Sequence, residues 1–207
     1  MDAPVLGNAA AVLGAADPRL GRLLEANGLP PLWSRDEGFP TLVKIILEQQ
    51  VSLDSAAAAF ANLVDAITKV EPATFLDLDD DELKTIGFSR QKAGYCRGIA
   101  AQLIDGSLEL NALGTIADDE VRNVLTTLKG IGPWTADVYL LFPLGRPDVW
   151  PRGDRALVVS MAESLPLLEI PSYEEAEQIA QQWRPWRSVA ARVLWHAYLS
   201  NRGRSLD

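Results

Sequence analysis

Two places in the chain combine residue types that could do chemistry. The first is the segment Leu128-Lys129-Gly130-Ile131-Gly132-Pro133-Trp134-Thr135-Ala136. Gly130 and Gly132 allow backbone angles and close approaches that a Cβ would block. Pro133 falls at the first turn of the following helix, where its missing N–H costs nothing. Such a turn exposes backbone N–H groups at a helix N-terminus, an anion site that uses no side-chain charge. Lys129 adds a point charge beside it. The same pattern also suits a plain tight turn between two core helices. The second place is Asp154, twenty positions beyond Trp134. A fixed carboxylate stabilises positive charge that develops in a transition state. Asp154 also stands where an N-cap would stand for a helix over 155–165. The two roles are compatible, because the positive end of a helix dipole suits a negative charge.

Other chemistries are excluded by counting. There is one cysteine, Cys96, and one histidine, His196. A lone thiol cannot form an internal disulfide, hold an iron–sulfur cluster or build a four-thiolate zinc site. A lone imidazole rules out multi-histidine metal sites and leaves a single candidate for a histidine-based triad. Both residues read as structural. What remains for chemistry is carboxylates, Lys, Ser and Thr, with six Trp residues to line a pocket.

The elements that must position these groups are helical nearly throughout. Apolar residues recur at steps of three and four over Phe39–Gln49 and Ser52–Val70. Pro72 and the acidic run Asp77–Glu82 break and restart the chain. Further helices are predicted over Ser89–Ile104, Asp118–Leu128, Pro133–Leu141, Asp154–Leu165, Ser172–Trp183 and Trp186–Ser200, with Ser89 and the acids 118–120 suited to helix N-termini. Strand-like alternation is almost absent, so the fold class is all-α. At 207 residues the chain is one domain, or two small lobes sharing a groove.

The composition, 48% hydrophobic and 23% charged, is that of an ordinary globular protein. Nineteen Lys and Arg against 28 Asp and Glu give a net charge of −9, which by itself argues against a nucleic-acid partner. The charge is unevenly spread. Residues 1–151 hold 12 basic against 21 acidic residues, whereas residues 152–207 hold seven of each. All seven of those bases are Arg, the better phosphate fork; taken alone, a solvated surface of mixed sign is the plainer explanation. The N-terminus lacks the basic region of a signal peptide. The uncharged run Ala3–Ala16, 14 residues, is shorter than the roughly 20 that span a bilayer. A cytoplasmic, reducing environment is expected.

Five ordered motifs carry a family resemblance from about Phe39 to Trp195. They are Leu47-Glu48-Gln49-Gln50-Val51-Ser52, Gly87-Phe88-Ser89-Arg90-Gln91-Lys92-Ala93, the Gly130–Gly132 hairpin, Asp148-Val149-Trp150-Pro151-Arg152-Gly153-Asp154, and Trp183-Arg184-Pro185-Trp186-Arg187-Ser188. Together they resemble the helix–hairpin–helix DNA glycosylases, in particular the 3-methyladenine glycosylase II (AlkA-like) branch without its extra N-terminal domain. The resemblance implies two helical lobes flanking a DNA-binding groove within a single unit, 1–207. One lobe would be residues 40–150 with the hairpin at 128–136. The other would be 1–39 plus 151–207, with Asp154 in the groove.

The resemblance also implies roles. Asp154 would be the catalytic carboxylate beside an oxocarbenium-like sugar, acting on a nucleotide rotated out of the duplex. Bifunctional relatives place a lysine at the position of Trp134, so no strand-cleaving lyase step is expected. Trp134, Trp195, Val138 and Ala156 would line the base pocket, where aromatic faces favour a cationic alkylated purine by about 0.5–2 kcal/mol. Gln49, Gln50, Lys129, Gly130, Gly132, Thr135 and Arg187 would contact DNA, with Gln50 wedged into the space left by the flipped base. The carbonyls of Thr126, Leu128 and Ile131 would hold a Na⁺ or K⁺; no other cofactor and no iron–sulfur cluster is implied. The partner would be double-stranded DNA with a damaged base, a monomer would suffice, and no membrane is involved.

Two other readings compete with an alkyl-purine glycosylase. One is a glycosylase for a different damaged or mismatched base. The other is a non-catalytic DNA-binding module, which would have no use for Asp154 near the phosphodiester path. In either glycosylase reading the acidic balance restricts where DNA binds, and a steep loss of binding with salt is expected.

Overall fold

A computed structural model describes residues 1–165, 167 and 169–204. Among the described residues, twelve α-helices run in order: α1 Ala3–Ala16, α2 Pro18–Asn27, α3 Phe39–Glu48, α4 Leu53–Ile67, α5 Pro72–Leu76, α6 Asp80–Ile86, α7 Arg90–Ile104, α8 Asp118–Thr126, α9 Pro133–Leu141, α10 Arg155–Ser164, α11 Tyr173–Ala180 and α12 Arg187–Ser200. Among the described residues there is no strand, and the all-α reading stands. No helix is long and apolar enough to cross a membrane among the described residues.

Helix starts follow capping chemistry. Ser52, Ser89, Asp154 and Ser172 each accept a backbone N–H from the first turn of α4, α7, α10 and α11. Asp79 and Glu82 form a reciprocal capping box on α6. Three ends fall short of the periodic pattern; α11 stops at Ala180, where a 3-10 turn over Gln181–Trp183 takes over. α4 stops at Ile67, because Thr68 takes φ +57°. α8 stops at Thr126, so Leu128 belongs to the turn.

The chain forms two compact units, residues 35–139 and residues 1–34 with 140–207. The division falls at 139/140, so residues 140–150, grouped by sequence with the hairpin, belong to the unit that carries Asp154. Residues 166, 168 and 205–207 of the second expected lobe lie outside the described residues.

In the unit 35–139, α3 packs on α4 and α7, and α5 packs on α7. Leu42, Val43, Ile45 and Ile46 of α3 are fully buried, which fits an almost wholly apolar helix. In the other unit α12 is central, against α1, α2 and α10. Ten of its 14 residues are buried. Asp17 joins α1 to α2: it ends the first helix and caps the second by accepting the amide of Arg19 at 3.0 Å. It also takes the indole N–H of Trp183 at 2.9 Å and a two-pronged contact from the Arg19 guanidinium. The Arg19 pairing holds the Asp17 carboxyl down at about 2, despite burial, which pushes the other way. Trp183 is fully buried.

Candidate functional site

The hairpin joins α8 to α9 with six residues, and its central glycine is obligatory for two reasons. Gly130 has φ +91°, and a Cβ built there would fall within the ring of Tyr95. The Ile131 amide is taken by the Leu128 carbonyl at 3.0 Å. The amides of Gly130 and Gly132 donate to no acceptor among the described residues. Gly132 and Lys129 are exposed. The turn thus offers N–H groups at the start of α9, where an anion is favoured.

The surroundings lock this turn in place. The Gln49 amide nitrogen donates to the Gly130 carbonyl at 2.9 Å and to the Thr135 hydroxyl at 3.0 Å. Lys92 of α7 donates to the carbonyls of Leu47 and Gln49, both at 2.8 Å, and so closes the C-terminal end of α3. Burial lowers the pKa of this ammonium. Gln91 bonds the Tyr95 hydroxyl, which steadies the ring under Gly130. Arg122 of α8 reaches across to the fully buried Asp137 of α9 at 2.7 Å and ties the two helices of the hairpin together. Beyond Gln49 the chain turns sharply. Gln50 has φ +57° and is exposed, and Val51 is 45% exposed. Gln49, Gln50, Ser89, Tyr95, Gly130 and Gly132 line one open recess of about 610 Å³.

Three of the expected DNA contacts make hydrogen bonds within the protein. Gln49 spends its amide on the hairpin. Thr135 is 2% exposed, and its hydroxyl accepts from Gln49. Arg187 turns onto Asp148, with Nε at 2.8 Å from one carboxylate oxygen and Nη2 at 3.0 Å from the other. Gln49 also lines the recess, as do Gln50, Gly130 and Gly132, and Lys129 is exposed beside them. Several arginines of the C-terminal stretch are likewise engaged within the protein. Arg152 pairs with Glu177, Arg184 with Asp148 and Arg202 with Glu163, while Arg192 is buried. Sequence counts charges and cannot see that these are paired.

Asp154 caps α10. One of its carboxylate oxygens accepts the Leu157 amide at 2.9 Å and the Trp195 indole N–H at 3.2 Å. The residue is 9% exposed. Trp195 stacks on Phe142, with ring centroids 5.5 Å apart and planes at 19°. Ala156 lies in the first turn of α10 and is half-buried. In the other unit, Trp134 is half-buried at the start of α9, and the buried Val138 follows one turn later on the same face. Tyr139, next along, uses its hydroxyl to accept the Gly38 amide at 2.9 Å. Cys96 is fully buried, which pushes its thiol up to about 12, far from reactivity. His196 meets Trp33 edge-on at 6.2 Å.

Sequence reasoning missed Phe142, Tyr95, Lys92 and Arg192 as members of these clusters. For Arg192 a signal existed: it is a lone charge within Val189-Ala190-Ala191-Arg192-Val193-Leu194.

Known proteins of similar sequence and fold share a superfamily with this chain. Residues 43–185 match the HhH-GPD superfamily of base excision DNA repair proteins. The chain belongs to that superfamily. Its relatives within it lie in the DNA-3-methyladenine glycosylase, AlkA-like branch. YfjP of Bacillus subtilis is 28% identical over 186 residues, covering 86% of this chain and 65% of YfjP. The chain thus spans just under two thirds of that relative's length. The structure of the Schizosaccharomyces pombe 3-methyladenine DNA glycosylase Mag1 with abasic DNA superposes with a TM-score of 0.84 at 26% identity, covering 91% of this chain and 95% of Mag1. The crystal structure of a Bacillus halodurans DNA-3-methyladenine glycosidase gives a TM-score of 0.76 at 28% identity, over 94% and 91% of the two chains.

Proposed function

We propose that the protein is a monofunctional DNA glycosylase that flips alkylated purines out of double-stranded DNA and hydrolyses their N-glycosidic bond. The observation that carries this reading is Asp154: a buried carboxylate that accepts from the Leu157 amide and the Trp195 indole. A carboxylate so held needs no reorganisation as positive charge builds on the sugar, which is the condition for effective electrostatic stabilisation. It also orients the attacking water. A purine alkylated at N3 or N7 is cationic, so it leaves readily and is attracted to an aromatic indole face. With Trp134 where a lyase would carry lysine, water is the nucleophile and the product is an abasic site.

The hairpin would hold a DNA phosphate through its backbone amides, with Gln50 entering the stack. Backbone carbonyls are hard oxygen donors, and those of Thr126, Leu128 and Ile131 would suit a monovalent cation of structural role. The protein would act as a monomer on chromosomal DNA, inside the cell.

Release of 3-methyladenine from methylated duplex DNA tests the reading. Asp154→Asn should lower the excision rate about 100- to 1,000-fold while binding an abasic duplex as the wild type does. Equal rates for the two proteins, or no release by either, would refute it.

A further inference from the structure

Arg192 is 1% exposed, yet no carboxylate pairs with it among the described residues. Its donors go to three carbonyls instead: Nε to Leu32 at 3.2 Å, Nη1 to Ser188 at 3.3 Å and Nη2 to Leu141 at 3.0 Å. Lost hydration without a compensating anion drives its pKa down to about 9. An apolar side chain of similar volume would fill this site without that cost. The charge must therefore do something that packing alone does not.

Its position shows what that is. Arg192, Trp195 and His196 stand at i, i+3 and i+4 of α12 and share one face. The guanidinium carbon lies 5.1 Å from the centroid of the Phe142 ring, within cation–π range. The same guanidinium bonds the carbonyl of Leu141, the residue before Phe142. It thus holds Phe142 by both backbone and ring. Phe142 in turn lies nearly parallel to Trp195, and Trp195 donates to Asp154.

We propose that Arg192 is a positioning residue of the excision site: it fixes Phe142, which sets the plane of Trp195, which holds the Asp154 carboxylate. This inference rests on the glycosylase reading above. Displacing a catalytic group by about 1 Å can cost on the order of 100-fold in rate, so a support two residues removed can matter to the chemistry.

Single-turnover excision of 3-methyladenine by Arg192→Met, Trp195→Phe and the double variant tests it, below the Tm of each. Arg192→Met should slow excision about 10- to 100-fold and leave abasic-DNA affinity unchanged. Because both residues act through one chain of contacts, the double variant should be no slower than the slower single. Arg192→Lys, which keeps the cation but not the fork, should fall between wild type and Met. Multiplying losses, or a wild-type rate in folded Arg192→Met, would overturn the proposal. If Arg192→Met does not fold, the same cycle with Phe142→Leu in its place decides the matter by the same outcomes. Asp154→Asn separates the two failures. If it keeps its rate, the glycosylase reading falls; if it loses its rate while the cycles multiply, only the role of Arg192 falls.

Discussion

Replacing Gly130 with Ala perturbs the hairpin at its tightest point, and the cost can be worked out in two parts. A residue with a Cβ held at φ +91° pays about 1–2 kcal/mol relative to glycine. The new methyl would also occupy the space of the Tyr95 ring. Tyr95 must then leave its rotamer, at about 0.5–1.5 kcal/mol, and its bond from Gln91 is disturbed with it. The sum is about 1.5–3.5 kcal/mol. It appears as lost stability if the hairpin keeps its shape. If the hairpin yields, it appears as lost DNA affinity, roughly 10- to 300-fold in Kd at 1.4 kcal/mol per tenfold. Urea denaturation and fluorescence anisotropy with an abasic duplex, read together, recover the total. In a Tyr95→Ala background the steric part is already gone, so Gly130→Ala should there cost only the backbone part, about 1–2 kcal/mol. Equal costs in both backgrounds would show that Tyr95 is not the constraint. A Gly130→Ala protein with wild-type stability and affinity would refute the whole argument.

Three further outcomes are expected. The Asp17 carboxyl is held down at about 2, against 3.8 ordinarily, mainly by Arg19; its contribution is present above about pH 4 and lost as pH falls through 2. Asp17→Asn should therefore cost about 1–2 kcal/mol at pH 6, and that difference should shrink below pH 3 in urea titrations; a pH-independent difference would contradict the assignment. Lys92→Met removes both donors from the end of α3, so the loop carrying Gln50 should exchange its amide hydrogens faster and abasic-DNA binding should weaken about tenfold; unchanged exchange would count against the Lys92 cap. Lys129→Ala should reduce the slope of log affinity against log salt by about one; an unchanged slope would remove Lys129 from the phosphate contacts.

Legibility from sequence followed the range of the interactions. Helices α3, α7, α9 and α12 were readable because periodicity and caps are local. So was the hairpin, whose glycines and proline act within a few residues. Asp154 was visible as a helix cap for the same reason. The clamps were not visible. Gln49 bonds residues 81 and 86 positions away, and nothing near it distinguishes an inward amide from one facing DNA. Arg187 and Arg192 look alike in sequence, yet one sits on Asp148 and the other lies buried against Phe142.

By itself, then, the amino-acid order determined the all-α class, the glycine turn, the capping carboxylate and the exclusion of thiol and multi-histidine metal chemistry. Those depend on residue type and short spacing. Only the tertiary structure decided which polar groups face solvent and which are spent internally. It paired four of the C-terminal arginines with carboxylates, turned Thr135 inward and set Trp195 against Asp154 across 41 positions of chain. A hydrogen bond or a ring stack forms or fails within an ångström, and residues distant in sequence come that close only once the helices have packed.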